Sequence, residues 1–170
     1  MGGTGRRGVG AASFDIVNGA LLVGKGFGDV PQRSLEPLAI SGLLGVDIPT
    51  AARTEQHPDL LRWGAVLQYS LFYLVAVVGR VELPKPLDHM IPLVELDFQT
   101  ALDRGESGKT TGTVNPGCVW VNASAQIGIE AVFPVNERTG ANMGVRAFLR
   151  LPLETILGAS AGRPLFGGGE

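Results

Sequence analysis

The chain of 170 residues is 18% charged and 45% hydrophobic, with a net charge of −2. A soluble domain holds about 25% charged residues, so part of this surface is not built for water, and the absence of any concentrated basic patch argues against a nucleic-acid binder. One cysteine, Cys118, excludes an internal disulfide; with only two histidines, His57 and His89, and no clustered spacing, a structural metal site is not expected.

The first thirteen residues, MGGTGRRGVGAAS, are glycine-rich and basic, and no apolar run follows them, so they are not a complete signal peptide. Residues 1–13 and 158–170 read as disordered ends around a β portion spanning 14–157. Gly3-Thr-Gly5-Arg-Arg-Gly8 spells GxGxxG, but no strand precedes it, as a dinucleotide loop requires.

Seven strands are expected, at about 14–28, 37–48, 61–73, 91–102, 112–121, 124–134 and 143–153. The breaks between them, such as DVPQRSLEP (29–37), LPKPLDHM (83–90), DRGESGKTTG (103–112) and VNERTGAN (135–142), combine Gly or Pro with Asp, Asn or Ser. Those residues favour turns through permissive φ, fixed φ and local side-chain hydrogen bonds respectively. In 61–71 Leu61, Trp63, Ala65, Leu67, Tyr69 and Leu71 oppose Arg62, Gly64, Val66, Gln68 and Ser70. In 93–100 Val94, Leu96 and Phe98 oppose Glu95, Asp97 and Gln99, and in 125–133 Ile127, Ile129, Ala131 and Phe133 oppose Gln126, Gly128, Glu130 and Val132. In 145–151 Val145, Ala147, Leu149 and Leu151 oppose Arg146, Phe148 and Arg150. A strand sends successive side chains to opposite faces, so each segment has one apolar and one mostly polar or small face. Several segments exceed the ~5–6 residues of a soluble strand and match the ~9–11 of a tilted membrane strand.

The fold class expected is therefore all-β: an antiparallel up-and-down meander of about seven long strands, a partial or open membrane-type barrel. Its polar parity (Gln68, Glu95, Asp97, Gln99, Glu130, Arg146 and Arg150) would face a lumen, where the carboxylates could pair with the arginines. Tyr73 and Phe133, near segment ends, suit an interfacial girdle. Residues 63–79, WGAVLQYSLFYLVAVVG, are free of charge between Arg62 and Arg80 and offer a competing reading as a short membrane helix. The alternation of the segments that follow favours strands.

No catalytic or cofactor motif survives inspection. Gly105-Glu-Ser-Gly108-Lys109-Thr110 resembles a P-loop, but two residues stand before Gly-Lys where the motif needs four, and no helix is expected after it. Glu95 and Asp97, two positions apart on one strand, would lie ~6.5–7 Å apart, which could serve acid–base work but suits lumen residues better. Asn122-Ala-Ser124 is a glycosylation sequon by pattern only. The chain is expected not to be an enzyme and to hold no cofactor.

Three stretches carry a family resemblance: Asn18-Gly-Ala-Leu-Leu-Val-Gly-Lys-Gly-Phe-Gly-Asp29, Pro92-Leu-Val-Glu-Leu-Asp-Phe-Gln-Thr-Ala-Leu-Asp103 and Lys109-Thr-Thr-Gly-Thr-Val-Asn-Pro-Gly117. Over roughly 14–157 the chain resembles a family of uncharacterised bacterial outer-membrane β-barrel proteins described as transporters. The resemblance implies a structural or passive-transport barrel in the outer membrane of a Gram-negative bacterium, with membrane lipid as partner. Members begin with a signal peptide and further strands, so the chain reads as a C-terminal portion. Seven strands fall below the minimum of about eight for bacterial barrels, and an open sheet exposes two edges. Upstream strands or other copies are expected to complete it. A soluble β-sandwich or lipocalin-like module binding an apolar ligand rests on the same alternation.

Overall fold

The computed structural model describes residues 16–50, 57–79 and 81–152. Seven strands follow one another: β1 (Ile16–Gly26), β2 (Leu38–Pro49), β3 (Leu60–Tyr69), β4 (Met90–Ala101), β5 (Thr110–Val121), β6 (Gln126–Pro134) and β7 (Gly144–Arg150). They form one sheet in sequence order, every neighbouring pair antiparallel. The alternating segments thus form the meander expected of them. The glycine-rich ends 1–13 and 158–170, with the GxGxxG of 3–8, lie outside the described residues.

The sheet has two rims. The β1–β2, β3–β4 and β5–β6 connections lie at the upper rim; β2–β3, β4–β5 and β6–β7 turn at the lower rim. Turn chemistry explains several of these reversals. At the upper rim the Asn122 side-chain oxygen accepts from the amides of Ser124 and Ala125, both at 2.7 Å, so this sequon residue closes a hairpin. At the lower rim Arg104, Gly105 and Gly108 take positive φ, and the P-loop-like stretch is a hairpin turn whose Thr110 opens β5 instead of a helix.

One stretch departs from the expected pattern. The third strand stops at Tyr69, not Tyr73. Ser70 breaks it by accepting the amide of Tyr73 on its hydroxyl at 3.1 Å, which starts a short α1 (Leu71–Tyr73) and a π-helical turn over Leu74–Val78. Gly79, in the left-handed conformation at φ 67°, ends that turn. Residues 63–79 are therefore strand followed by helical turns, and the reading of them as a membrane helix is overturned. Among the described residues no helix is long and apolar enough to cross a membrane.

A conventional core is absent among the described residues: Val78 and Ala101 are the buried hydrophobic side chains. The sheet is also open. β1 pairs with β2 alone and β7 with β6 alone, and every residue of both edge strands is exposed.

Candidate functional site

Directly opposed residues of an antiparallel ladder share a face, so the registers sort every strand residue onto one of two faces. On one face lie Asn18, Asp47, Arg62, Gln68, Glu95, Asp97, Gln99, Asn115, Glu130, Arg146 and Arg150. On the other lie Leu21, Val23, Ile40, Leu44, Trp63, Leu67, Val94, Phe98, Ile127, Ile129, Phe133, Val145 and Leu149, with Cys118 and Trp120. Among the strand residues, Lys25 is the one charge on this second face, and it sits at the upper rim. All seven residues read from the sequence as lumen-facing share the polar face.

The polar face is the concave one. The Arg146 guanidinium, on β7, donates to Glu130 of the neighbouring β6 through Nε at 2.9 Å and reaches Glu95 of β4 through Nη2 at 2.8 Å. Arg146 is level with Glu130, Gly117 and Leu93, so three interstrand spacings of ~4.8 Å and two residues of rise put its backbone ~16 Å from that of Glu95, a gap that an Arg and a Glu side chain close only if the sheet curls toward them. Burial agrees: the buried polar side chains are Asn115, at 1% exposure, and Glu130, and both lie on this face. The apolar face is exposed instead, with Leu44 53%, Leu67 48%, Ile129 58% and Leu149 62% accessible. This inverts the usual disposition of a half-buried sheet, in which apolar side chains take the covered face.

Two ionic groups stud the concave wall. The first is Glu95–Arg146–Glu130. It stands beside the one interruption in the ladders, where Asn115 and Pro116 of β5 do not pair with β6, since Pro116 has no N–H to give. Asn115, directly opposite Glu95, is buried there with its Oδ1 meeting no protein donor. The second group is Asn18–Asp47–Arg62: Asn18 donates to Asp47, and Arg62 Nε lies 3.0 Å from the same carboxylate.

Of the expected pairings, those of Arg146 with Glu95 and Glu130 form. Arg150, Asp97, Gln99 and Gln68 join no ion pair among the described residues. Arg150 stands opposite Gln126 at the upper rim, whereas Asp97 and Gln99 lie toward the lower rim, opposite Thr113 and Thr111. There Asp97 and Gln99 line a cavity of about 190 Å³ with Thr111, Gly112, Thr113 and Thr139. Asp47 was not foreseen on the polar face, because Leu43 and Gly45 share its parity and hide the alternation of β2.

Aromatic side chains sit at both rims of the apolar face. Near the lower rim Trp63 stacks on Phe98 with centroids 4.3 Å apart, its indole N–H donates to Thr100 at 3.1 Å, and Thr100 bonds Thr110 at 2.9 Å. Phe133 stands at this rim too. Near the upper rim are Trp120, opposite Met90, and Tyr69, whose hydroxyl donates to the Ser34 carbonyl at 2.9 Å. Tyr73 falls in the helical turns beyond β3 and not in a strand.

No group of residues able to hold a metal ion occurs among the described residues. No family model, curated protein or solved structure matches the chain.

Proposed function

We propose that this sheet is a wall of an outer-membrane β-barrel, with its apolar face toward lipid and its concave polar face toward an aqueous lumen. Its role on this reading is non-enzymatic, structural or passive transport. One observation carries the proposal: among the strand residues every charge but Lys25 lies on the concave face, while the convex face is mainly apolar and exposed or half-exposed. Monomeric soluble proteins rarely expose apolar patches above a few hundred Å², whereas a membrane strand alternates apolar-out and polar-in. Strand length supports the same reading, since six of the seven strands run 9–12 residues. So do the Trp and Tyr side chains at the two rims, which suit an apolar interior and a wet headgroup layer. A lipocalin-like module would need a mainly apolar concave face; here Leu22, Leu43, Val66 and Leu93 share that face with both ionic groups. An unclosed sheet in lipid leaves backbone groups unsatisfied, so the barrel on this proposal is completed by strands beyond these seven.

The chain's two tryptophans, Trp63 and Trp120, are both on the convex face. Refolded into vesicles of brominated phosphatidylcholine, the protein should therefore lose most of its tryptophan fluorescence. A maleimide confined to the bilayer should label Cys118, on the same face, faster than a charged one does. Unquenched tryptophans in a sample with a strand-dominated circular dichroism spectrum would sink the proposal.

A further inference from the structure

We infer that the outer edge of β7 is a docking edge for an antiparallel, amphipathic β-strand that carries carboxylates on its polar parity, and that a second copy of this chain is not its partner. The inference rests on the membrane reading and deepens it by naming the chemistry of the missing neighbour.

The first argument is direction. Strands alternate in sense along the meander, and β1 and β7 are both odd members, so both run from the lower rim to the upper. An antiparallel neighbour of β7 must run downward. Closing the sheet by antiparallel ladders alone therefore takes an odd number of added strands. A second copy inserted in the same sense presents only upward-running edges, its own β1 and β7. It could meet this edge only through a parallel ladder.

The second argument is charge. On the polar face β7 presents Gly144, Arg146, Phe148 and Arg150, and no acidic residue. Arg146 is committed to Glu130 and Glu95. Arg150 has Gln126 as its ladder neighbour and forms no ion pair among the described residues, leaving a cation at the rim of the edge. An inverted second copy docked β7 to β7 would set arginine against arginine. A second copy's β1 offers Asn18, Ala20, Leu22 and Gly24 on the polar face, and no carboxylate. Cross-strand neighbours of opposite charge attract and like charges repel. The strand that fits has glutamate or aspartate level with Arg150, and apolar residues on the parity that continues Val145, Ala147 and Leu149.

The test uses the full chain refolded in zwitterionic detergent and two fluorescent peptides of about nine residues, long enough for one membrane strand. Both peptides alternate valine with a polar parity. One carries two glutamates four positions apart, the spacing of Arg146 and Arg150, and the other carries lysines there. Anisotropy should show the glutamate peptide binding about tenfold more tightly. Arg150→Gln should shrink that preference and Arg150→Glu should reverse it. A nitroxide on the peptide's N-terminus should broaden the amide signals of Leu149 and Arg150, not those of Gly144 and Val145, as a downward strand requires. Equal affinity of the two peptides, a preference untouched by both Arg150 variants, or broadening at Gly144 overturns the inference. So does a β7 edge already protected from amide exchange in a dimer of this chain. Quenching of Trp63 and Trp120 by brominated detergent in the same samples reports separately on the membrane reading, which stands or falls without the peptides.

Discussion

Glycines inside the strands make room for aromatic rings, and this is where single residues control the sheet. Gly112 stands opposite Phe98, and a β-carbon there would run into the Phe98 ring and lie 2.6 Å from the Asp97 carbonyl oxygen. The ring fills the missing side chain, as aromatic residues do over glycines in sheets, and from there it stacks on Trp63. Gly112→Val should therefore displace Phe98, unstack the pair and cost ~1–3 kcal/mol, read from denaturant unfolding of the refolded protein. Gly19→Ala is the contrast: nothing lies within 4 Å of its β-carbon, so it should be neutral or stabilise by up to ~1 kcal/mol. Beyond the strand ends, the bond from Lys25 holds the exposed Asp29 carboxyl below its ordinary 3.8. A folded-state value below the unfolded one means the Lys25 contact supports the β1–β2 turn above about pH 4 and is lost as pH falls through the depressed value. Carbon-detected titration should show Asp29 ionising below a reference aspartate, and Lys25→Met should return it toward the ordinary value.

Among the elements, β4 and β7 are coupled without being neighbours in the sheet. Arg146 ties them over β5 and β6, and its two carboxylates differ in burial: the Glu130 side chain is 7% exposed and that of Glu95 27%. Removing the arginine strands a buried charge on Glu130, which costs ~3–5 kcal/mol for a fully buried pair and less here because Arg146 is half-exposed. Arg146→Gln should accordingly destabilise by ~1–3 kcal/mol, whereas Glu95→Gln should cost under ~1 kcal/mol. Both changes should lengthen the distance between spin labels on the polar faces of β4 and β7, because the curl depends on the Glu95 arm. An unchanged distance in Arg146→Gln would mean that strand twist alone bends the sheet.

How far these elements were legible follows from what sequence periodicity can carry. The period-two pattern of 61–71, 93–100, 125–133 and 145–151 assigns each residue a face, and the ladders put Gln68, Glu95, Asp97, Gln99, Glu130, Arg146 and Arg150 together on one of them. β2 was legible as a strand but not as a two-faced one, since Leu43 and Gly45 mask the parity of Asp47. The end of β3 was misplaced by four residues, because the apolar run through Val78 continues past the hydroxyl of Ser70, which stops the strand. Which arginine meets which carboxylate depends on stagger between strands, and no single strand's pattern records it. Arg146 and Arg150 look equivalent on β7, yet their levels on the sheet give one of them two carboxylates and the other none.

For the whole molecule the decisive property is the inversion of the sheet, and two adjacent residues on one strand can test it. Leu43 and Leu44 lie in the middle of β2, the first on the polar face opposite Leu22 and Gly64, the second on the apolar face opposite Leu21 and Trp63. Leu44 is already 53% exposed. In water an arginine at such a site changes stability by no more than ~0.5 kcal/mol, the ordinary range for surface substitutions, and placing it there would if anything improve solubility. In a bilayer the same arginine must sit in hydrocarbon, which costs up to ~2–4 kcal/mol, less toward the interface. Leu43→Arg points to the polar face, near Arg62 and Asp97, where on the membrane reading water and carboxylates solvate it, so its cost should stay below ~1 kcal/mol. Reversible unfolding from liposomes should thus rank Leu44→Arg well below Leu43→Arg in stability. A reversed order, or two changes of equal size, would mean that the apolar face does not meet lipid and that water or another protein surface covers it instead.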